Sequence, residues 1–371
     1  MLASLAPAWT LLVATAAASK CTNLIVPITV SAVSYTPTFP PFENHYQSVG
    51  FLTNITSRNV VESPSPIGGY LPVTESFNIS VEYCAPSNAS DTTDVQVLSH
   101  GLGFGKEYWS WGGAESQYSY VRAATAAGFA TLSYDRIGNG LSSNPDPYTI
   151  QQGPIELAIL AALTGKLRNG TIDSCVPKPK RKVYHIGHSF GSFLTNGLAA
   201  AYPTLSDGIV LTGYSTNLTW QTELLISMGF HLARENQPAR FGDRSTGSVV
   251  PGDELAIQFI FFTYPYFDPA VAVAANAGKY PFSIGEILTT AILPQNATSF
   301  TGPVLVITGD ADTIFCGADC YGILEQSAPF FPAAKPFQTY VQPHMGHGMN
   351  LHYNASGFYG VVTKFLEDAS S

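Results

Sequence analysis

Residues 183–192 read VYHIGHSFGS, an apolar run followed at once by the pattern Gly-x-Ser-x-Gly. The run 183–186 has the length and apolar content of a buried strand, and the residues after the pattern predict a helix. A strand that passes directly into a helix needs a sharp turn, and Gly187 and Gly191 permit the close approach of the two elements. Such a turn lifts a hydroxyl to the end of a sheet, so Ser189 is a candidate nucleophile.

The segments on both sides of this turn alternate between short apolar runs and helical stretches. Strands are predicted at 95–99, 130–134, 183–186, 208–212, 304–308 and 337–341, and helices at 155–167, 190–201 and 357–366. This alternation is typical of an α/β fold with a mostly parallel sheet and helices on both faces. Two strands at 25–35 and 77–83 precede it, and we assign residues 20–93 to the N-terminal strands of the same domain.

The core of the domain is predicted to consist of residues 94–215 and 303–371. The segment 216–302 between them is too long for a crossover and predicts a helical cap insertion, with helices at 220–234 and 255–267. The second of these carries six aromatic residues: Phe259, Phe261, Phe262, Tyr264, Tyr266 and Phe267. They either pack the cap on the core or form an apolar wall facing a substrate, and the sequence leaves both interpretations open.

A serine is a poor nucleophile alone and needs a base and an orienting acid. The strand 304–308 delivers Asp310 and Asp312 to its C-terminal end, where the active-site groups of open α/β sheets collect. The loop after the last strand then supplies His344 and His347. The chain order of serine, acid and histidine is the one that accompanies a strand-to-helix nucleophile turn, which favours a Ser-His-Asp triad over unrelated turn residues.

Two more motifs lie at predicted strand ends. Residues 100–103 read HGLG, and residues 135–142 read DRIGNGLS. With these motifs the chain resembles the α/β-hydrolase fold superfamily over about 95–366, and more narrowly its secreted fungal serine hydrolases. The resemblance implies an α/β-hydrolase fold.

The resemblance also implies roles for individual residues. Ser189 would be the nucleophile and His347 the base. Asp312 would be the acid, because the pattern Gly-x-x-Asp fits the segment that begins at Gly309, while Asp310 remains the rival. The backbone N–H groups of Leu102 and Phe190 would bind the oxyanion.

Two residues of the second motif, Asp135 and Arg136, are interpreted as structural, fixing the loop beneath the site. No cofactor and no metal is implied. A serine nucleophile also argues against the dehalogenase and epoxide-hydrolase chemistries, for which this fold uses an aspartate.

The charge balance limits the partners of the protein. The 371 residues include 17 Lys and Arg against 26 Asp and Glu, a formal net charge of −9. A protein that neutralises phosphates needs a basic surface, so nucleic acid and anionic lipid are unsuited partners. Charged residues make up only 12% of the chain while hydrophobic residues make up 45%, a composition that excludes intrinsic disorder.

The N-terminus predicts secretion. Residues 1–19 contain no charged side chain and end in small residues, which indicates a signal peptide cleaved near Ala18 or Ser19. An uncleaved anchor is the alternative, but the stretch is short for a membrane span, and no later segment is long enough to predict a span in the mature chain. Seven N-x-Ser/Thr sequons exceed the roughly three expected from average composition: Asn54, Asn78, Asn88, Asn169, Asn217, Asn296 and Asn354.

A secreted protein folds in an oxidising compartment, which favours disulfides among its five cysteines. Cys316 with Cys320 would close a short loop and Cys21 with Cys84 would join the N-terminal strands, leaving Cys175 free. The sequence does not determine this connectivity. A zinc site is the alternative, for which one C-x3-C pair is weak evidence.

Together these observations predict a secreted serine hydrolase that cleaves a small-molecule carboxylic ester or lactone through an acyl-enzyme. An acyltransferase or an amide-cleaving tailoring enzyme of secondary metabolism would use the same triad. A non-catalytic binding protein on the same fold is the third hypothesis, and loss of a triad residue would favour it. No such loss is visible in the sequence.

Overall fold

The computed structural model describes residues 19–58, 65–113 and 115–370. The residues of the predicted signal peptide up to Ala18 lie outside this description. The described strands are β1 (Lys20–Pro37), β2 (Ile67–Ala85), β3 (Val95–Ser99), β4 (Ala130–Tyr134), β5 (Val183–His188), β6 (Gly208–Thr212), β7 (His231–Leu232), β8 (Ser248–Val250), β9 (Phe282–Ser283), β10 (Val304–Gly309) and β11 (Phe337–Gln342).

The helices are described in the same order. They are α1 (His45–Ile55), α2 (Tyr120–Ala126), α3 (Gly153–Asn169), α4 (Phe190–Ala201), α5 (Gln221–Met228), α6 (Ala233–Asn236), α7 (Pro238–Phe241), α8 (Glu254–Phe261), α9 (Pro269–Gly278), α10 (Ile284–Thr289), α11 (Thr313–Cys316) and α12 (Ala355–Ser370). Short 3-10 segments occur at Lys106–Trp109, Thr290–Ile292, Leu324–Phe330 and Met349–Leu351. None of the described helices is long and apolar enough to cross a membrane.

The central sheet has the strand order β1-β2-β4-β3-β5-β6-β10-β11. The first two strands are antiparallel to each other, and β2 is antiparallel to β4, whereas the remaining pairs are parallel. Every residue of β3, β5 and β10 is buried, as expected for parallel strands covered on both faces. The predicted fold class of a mostly parallel sheet flanked by helices is confirmed.

Neighbouring residues of β5 show which helices cover each face. Successive side chains of a strand point to opposite faces of a sheet. The ring of His185 hydrogen-bonds Thr164 of α3 at 2.9 Å, while the hydroxyl of Tyr184 hydrogen-bonds Ser370 of α12 at 2.9 Å. The α3 helix therefore covers one face, together with α4, and α12 covers the other, together with α2.

The N-terminal hairpin is longer than the sequence predicts. The predicted strands 25–35 and 77–83 lie inside β1 and β2, which pair along almost their whole length. Cys21 and Cys84 are direct cross-strand partners in this pairing and form a disulfide. The bond joins the beginning of β1 to the end of β2.

The insertion between β6 and β10 contains helices α5 to α10 and a small sheet in the order β7-β8-β9. Both helices predicted here are shorter than expected. The helix predicted at 220–234 ends at Met228, because Gly229 takes a left-handed conformation with φ 69°. The helix predicted at 255–267 ends at Phe261, because Pro265 lacks an N–H and cannot continue it. The boundaries assigned to the cap and to the core stay predictions.

The turn between β5 and α4 is packed tightly against neighbouring backbone. A Cβ atom added to Gly191 would overlap the carbonyl oxygen of Ser99, at the end of the neighbouring strand β3. A Cβ on Gly187 would overlap the backbone of Gly191 itself. These contacts are with backbone atoms, which cannot rotate away as a side chain can, so only glycine fits at both positions.

Two helical glycines provide a test of this packing. We expect Gly191→Ala to lower the free energy of unfolding by about 1–3 kcal/mol, because the methyl group meets backbone. Gly360→Ala is the matched control in α12, where an added Cβ meets nothing within 4 Å. It should raise stability by about 0.5–1 kcal/mol, since alanine is the better helix former. Urea unfolding followed by circular dichroism measures both, and equal effects would contradict the packing argument.

Candidate active site

Ser189 lies at the tip of the turn between β5 and α4. Its backbone has φ 53° and ψ −118°, a conformation that costs energy for a residue with a side chain. Two sets of hydrogen bonds hold it. Its N–H donates to the carbonyl of Thr212 at 2.9 Å, and its carbonyl accepts from the N–H groups of Ser192 and Phe193 at 2.8 and 3.2 Å. The strained turn leaves the Ser189 side chain half-buried at the edge of a cavity.

Asp312 is fully buried at the end of β10, where it caps α11. Its Oδ1 accepts the N–H groups of Ile314 and Phe315 at 2.8 and 3.2 Å, and its Oδ2 accepts the hydroxyl of Thr308 at 2.6 Å. Burial by itself raises the pKa of this carboxyl, but the His347 ring and these hydrogen bonds outweigh it and hold the pKa below its ordinary value. Asp312 is therefore an ionised acceptor.

His347 is the second partner of that carboxylate. Its Nδ1 lies 2.9 Å from Asp312 Oδ2, and because an ionised carboxylate can only accept, Nδ1 carries the proton. The neutral ring then has its lone pair on Nε2, the atom that a general base uses. The ring is buried against Phe261, Phe315 and His188, with centroid separations of 5.8, 5.7 and 4.9 Å.

The end of β6 brings the serine and the histidine together. Ser189 donates its N–H to Thr212, and at the next residue, Gly213, an added Cβ would lie 3.0 Å from Cε1 of His347. No hydrogen bond joins Ser189 Oγ to His347 among the residues that the structure describes. Catalytic hydrogen bonds are often long without substrate and tighten in the complex.

The rival residues at the two strand ends have other partners. Asp310 accepts the N–H of Met345 at 3.0 Å through Oδ1, so it holds the histidine loop and does not contact the His347 ring. His344 is exposed and stacks on Tyr266, with ring centroids 4.3 Å apart. The structure thus pairs Asp312, and not Asp310, with the buried histidine.

Leu102 lies on the HGLG loop and Phe190 is the first residue of α4, and both are close to Ser189. A Cβ added to Gly101 would lie 2.9 Å from the Ser189 Cβ, so the HGLG loop passes directly beside the serine. Within the described part of the chain, the N–H groups of Leu102 and Phe190 donate no hydrogen bond. Two unpaired backbone donors beside a nucleophile can stabilise a developing oxyanion.

His100 holds this loop in place. Its Nδ1 donates to the carbonyl of Gly101 at 2.9 Å, and its Nε2 accepts the backbone N–H of Arg136 at 3.0 Å. Burial, and then the charge of Arg136, lowers the pKa of His100 to about 3, so the ring stays neutral and keeps this donor and acceptor arrangement.

Arg136 forms a buried ion cluster beneath the oxyanion loop. Its Nη1 hydrogen-bonds both Glu156 of α3, at 2.6 Å, and Glu286 of α10. Its Nη2 donates to the carbonyl of Gly101 at 3.3 Å, and its guanidinium lies 4.6 Å from the ring centroid of Phe190. One side chain therefore contacts both segments that carry the candidate oxyanion donors, and the cap insertion as well.

The two carboxyl groups of this cluster differ in their hydrogen-bond partners. Glu286 accepts Arg136 on one oxygen, and on the other it accepts the N–H of Ser283 at 2.6 Å and Nε2 of Gln151 at 3.0 Å. Glu156 has an oxygen without a partner, and burial, together with the charge of Glu286, raises its pKa well above the ordinary value despite the nearby arginine. Glu286 is thus the more fully hydrogen-bonded of the two acidic partners of Arg136.

Sequence reasoning did not identify Thr308, Glu156 or Glu286. Thr308 could be recognised from the sequence, because a hydroxyl at the end of a buried apolar strand is within reach of the acid that follows it. Glu156 and Glu286 could not be recognised in this way, since their partner Arg136 is distant in sequence from both. Their presence follows only from the rule that a buried charge needs a counter-charge.

The second disulfide closes the loop behind the acid. Cys316 and Cys320 are bonded, and both are buried. The N–H of Cys320 donates to the carbonyl of Asp310 at 3.2 Å, which ties this loop to the end of β10. The bond takes up the two thiols of the C-x3-C pair, and the described residues contain no group of three or more His, Cys, Asp or Glu arranged to hold a metal. Cys175 is exposed and unpaired.

A cavity of about 220 Å³ opens at Ser189. Its wall is built from the oxyanion segments, from α4, from α5 and from the residues around the end of α10. The aromatic segment predicted as a possible substrate wall does not line it. Instead Phe261 packs on Phe104 and His347, so packing between cap and core is what the segment provides.

The seven sequons differ in exposure. Five have exposed asparagines: Asn54, Asn78, Asn88, Asn169 and Asn296. The other two are half-buried, and their amide nitrogens donate hydrogen bonds, from Asn217 to Gln326 at 3.1 Å and from Asn354 to the carbonyl of Pro343 at 3.4 Å.

Comparison with known proteins gives the family. A model described as the alpha/beta hydrolase family matches residues 96–356, which include the serine turn, the acid and the histidine loop. The chain belongs to the alpha/beta hydrolase family. No curated protein sequence matches it.

Solved structures share the fold of this alpha/beta hydrolase at low sequence identity. A thermophilic esterase from Thermogutta terrifontis is 14% identical with a TM-score of 0.55, covering 80% of this chain and 95% of the esterase. The enol-lactonase from Burkholderia xenovorans LB400 is 18% identical with a TM-score of 0.53, covering 78% of this chain and 97% of the lactonase. At these identities the likeness extends to the fold alone.

The two aspartates at the end of β10 can be separated by mutation. Asp312→Asn should slow the labelling of the protein by a fluorophosphonate by about 1,000-fold or more, because His347 loses its orienting acceptor. Asp310→Asn is the matched control and should change the rate by less than about tenfold. Stopped-time labelling with gel fluorescence measures both rates, and the reverse ranking would make Asp310 the acid.

The ion cluster can be tested in the same assay. Glu286→Gln should lower the maximal inactivation rate about tenfold or more with little change in inhibitor affinity, because Arg136 loses its more firmly held acidic partner and shifts from the oxyanion loop. Glu156→Gln should have a smaller effect, since Glu156 makes one hydrogen bond to Arg136 and the raised pKa of its carboxyl lowers the cost of removing its charge. Melting temperatures of both variants separate positioning from unfolding. Equal losses in the two variants would contradict the greater role given to Glu286.

Proposed function

We propose that this hydrolase cleaves a carboxylic ester or lactone through an acyl-enzyme, with Ser189 as nucleophile, His347 as base and Asp312 as orienting acid. The observation that carries the proposal is the 2.9 Å hydrogen bond from His347 Nδ1 to the buried Asp312, next to a serine on a strained turn. Strained turns persist at functional sites, where surrounding structure holds them. We further propose that the enzyme is of the secreted fungal type that its motifs resemble.

The reaction follows from these atoms. Ser189 Oγ attacks the carbonyl carbon while its proton passes to His347 Nε2, and the carbonyl π electrons move to oxygen. The N–H groups of Leu102 and Phe190 hydrogen-bond that oxyanion. Collapse of the tetrahedral intermediate breaks the bond to the leaving oxygen, which takes the proton from His347. Water then repeats the sequence on the acyl-enzyme, which releases the acid and restores Ser189.

The alternatives from the sequence use the same groups. Acyl transfer replaces water by another acceptor, and amide cleavage replaces the leaving oxygen by nitrogen. No observed contact favours either over ester or lactone hydrolysis. A non-catalytic binding protein would have no need of a strained serine beside a paired histidine, so the geometry favours the enzyme.

Secretion is part of the proposal. It is supported by the uncharged N-terminal residues, by five exposed sequons and by two disulfides, one of which joins β1 to β2. Disulfides persist in oxidising compartments. Glycosylation is proposed for the exposed sequons and not for Asn217 and Asn354, whose amide nitrogens are engaged in hydrogen bonds.

The decisive experiment is labelling and hydrolysis by the serine variant. Ser189→Ala should abolish both fluorophosphonate labelling and cleavage of p-nitrophenyl acetate, down to the residual rate that binding and the oxyanion donors sustain. Ser192→Ala is the matched control, since its hydroxyl donates to the Thr212 carbonyl, and it should retain labelling.

Two results would overturn the proposal. Labelling that persists at one site in Ser189→Ala would mean that another residue is the nucleophile. A folded wild-type protein that neither labels nor cleaves any short ester would favour the binding-protein hypothesis.

A further inference from the structure

The cavity at Ser189 lies on one side of the candidate triad. It is lined by Ser189 itself and by Leu102 and Phe190, the residues of the candidate oxyanion donors, but His347 is not among its lining residues. In ester cleavage the base must afterwards protonate the leaving oxygen, so the leaving group has to lie on the histidine side of the serine. A cavity that contacts the serine and the oxyanion donors but not the histidine is therefore positioned for the acyl part.

The lining of this cavity is apolar. No charged residue and no histidine contributes to it, and its residues are Leu102, Ser189, Phe190, Phe193, Leu218, Gln221, Leu224, Leu225, Ile287, Thr290, Ala291 and Phe315. The hydroxyl of Thr290 donates to the carbonyl of Glu286 at 2.7 Å, and the amide nitrogen of Gln221 donates to the carbonyl of Ile314 at 3.3 Å. These polar groups are engaged with backbone, so the cavity offers no charge to pair with a charged acyl group.

The size of the cavity limits the acyl group. Its volume of about 220 Å³ is below the range of about 300–1,000 Å³ for sites of drug-sized ligands. An apolar cavity of about 150 Å³ holds one benzene molecule. A group of about four to eight carbon atoms therefore fits, whereas a long fatty acyl chain exceeds the space.

We propose that this cavity is the acyl site and that the substrate is an ester of an uncharged, apolar carboxylic acid of about four to eight carbons. The proposal rests on the proposed function, since it assigns one side of the same serine. Residues of α5 and residues that follow α10 line the cavity, so the insertion contributes to the accepted length. Leu225 and Ala291 represent these two walls.

The first measurement compares wild-type kcat/KM for p-nitrophenyl acetate, butanoate, hexanoate and dodecanoate. We expect the maximum at butanoate or hexanoate, and a fall of at least about tenfold at dodecanoate. The mono-p-nitrophenyl ester of glutaric acid serves as the charged counterpart of hexanoate, and it should be cleaved at least about 100-fold less efficiently. A charged acyl group would have to leave water without a partner.

Variants on the two walls, with a control on α5, test whether these residues set the chain-length preference. Leu225→Ala enlarges the cavity and should raise the ratio of kcat/KM for dodecanoate over butanoate about tenfold. Ala291→Phe fills the other wall and should lower the ratio for hexanoate over acetate by a similar factor. Ile226→Ala is the matched control, because Ile226 is 59% exposed and does not line the cavity, and it should leave every ratio unchanged.

The outcomes separate this proposal from the one on which it rests. Cleavage that depends on Ser189 but shows no change of ratio in Leu225→Ala and Ala291→Phe would overturn the acyl site and leave the serine hydrolase intact. Efficient cleavage of the glutarate ester would overturn the apolar acyl class in the same way. Absence of Ser189-dependent cleavage for all the esters would overturn both.

Discussion

The close backbone contact between the β5–α4 turn and the end of β3 is the constraint on which the site depends. Gly191 packs against the carbonyl of Ser99, and the HGLG loop that begins one residue later therefore passes directly beside Ser189. A side chain at Gly187 or Gly191 would push α4 away from the sheet. The same contact that creates the strained turn thus places two unpaired N–H donors, from two different segments, around one hydroxyl.

The HGLG loop and the start of α4 must also stay in position relative to each other. The buried side chain of Arg136 contacts both of them. Arg136 reaches the Gly101 carbonyl and the Phe190 ring, while its charge is neutralised by Glu286 from the cap. A buried ion cluster contributes little net stability, because desolvation offsets the attraction. Its better-supported effect is to specify one arrangement, here the position of α10 relative to the oxyanion loop.

The features that the sequence predicts well are those set by residues close together along the chain. Strands β3, β4 and β6 have the predicted bounds, and β5, β10 and β11 extend them by one or two residues, because buried parallel strands are short apolar runs that stand out locally. The insertion was predicted less well, since Gly229 and Pro265 end its helices early and the small sheet β7-β8-β9 has strands of two or three residues. The choice between Asp310 and Asp312 came from a family pattern, and only the structure shows that the first holds Met345 and the second His347.

The two walls of the cavity are attached to the core in different ways, and this affects how specificity can change. Leu224 and Leu225 of α5 make only apolar contacts, whereas Ile287 is the neighbour of Glu286, which is bonded to Arg136, and Thr290 lies one helical turn further. A substitution of either leucine therefore alters the space for substrate and little else. A substitution that shifts α10 also moves the guanidinium beneath the Gly101 carbonyl, so it changes transition-state stabilisation together with substrate fit. Chain-length preference can consequently vary through α5 without loss of rate, while α10 is constrained by the chemistry that it helps to position.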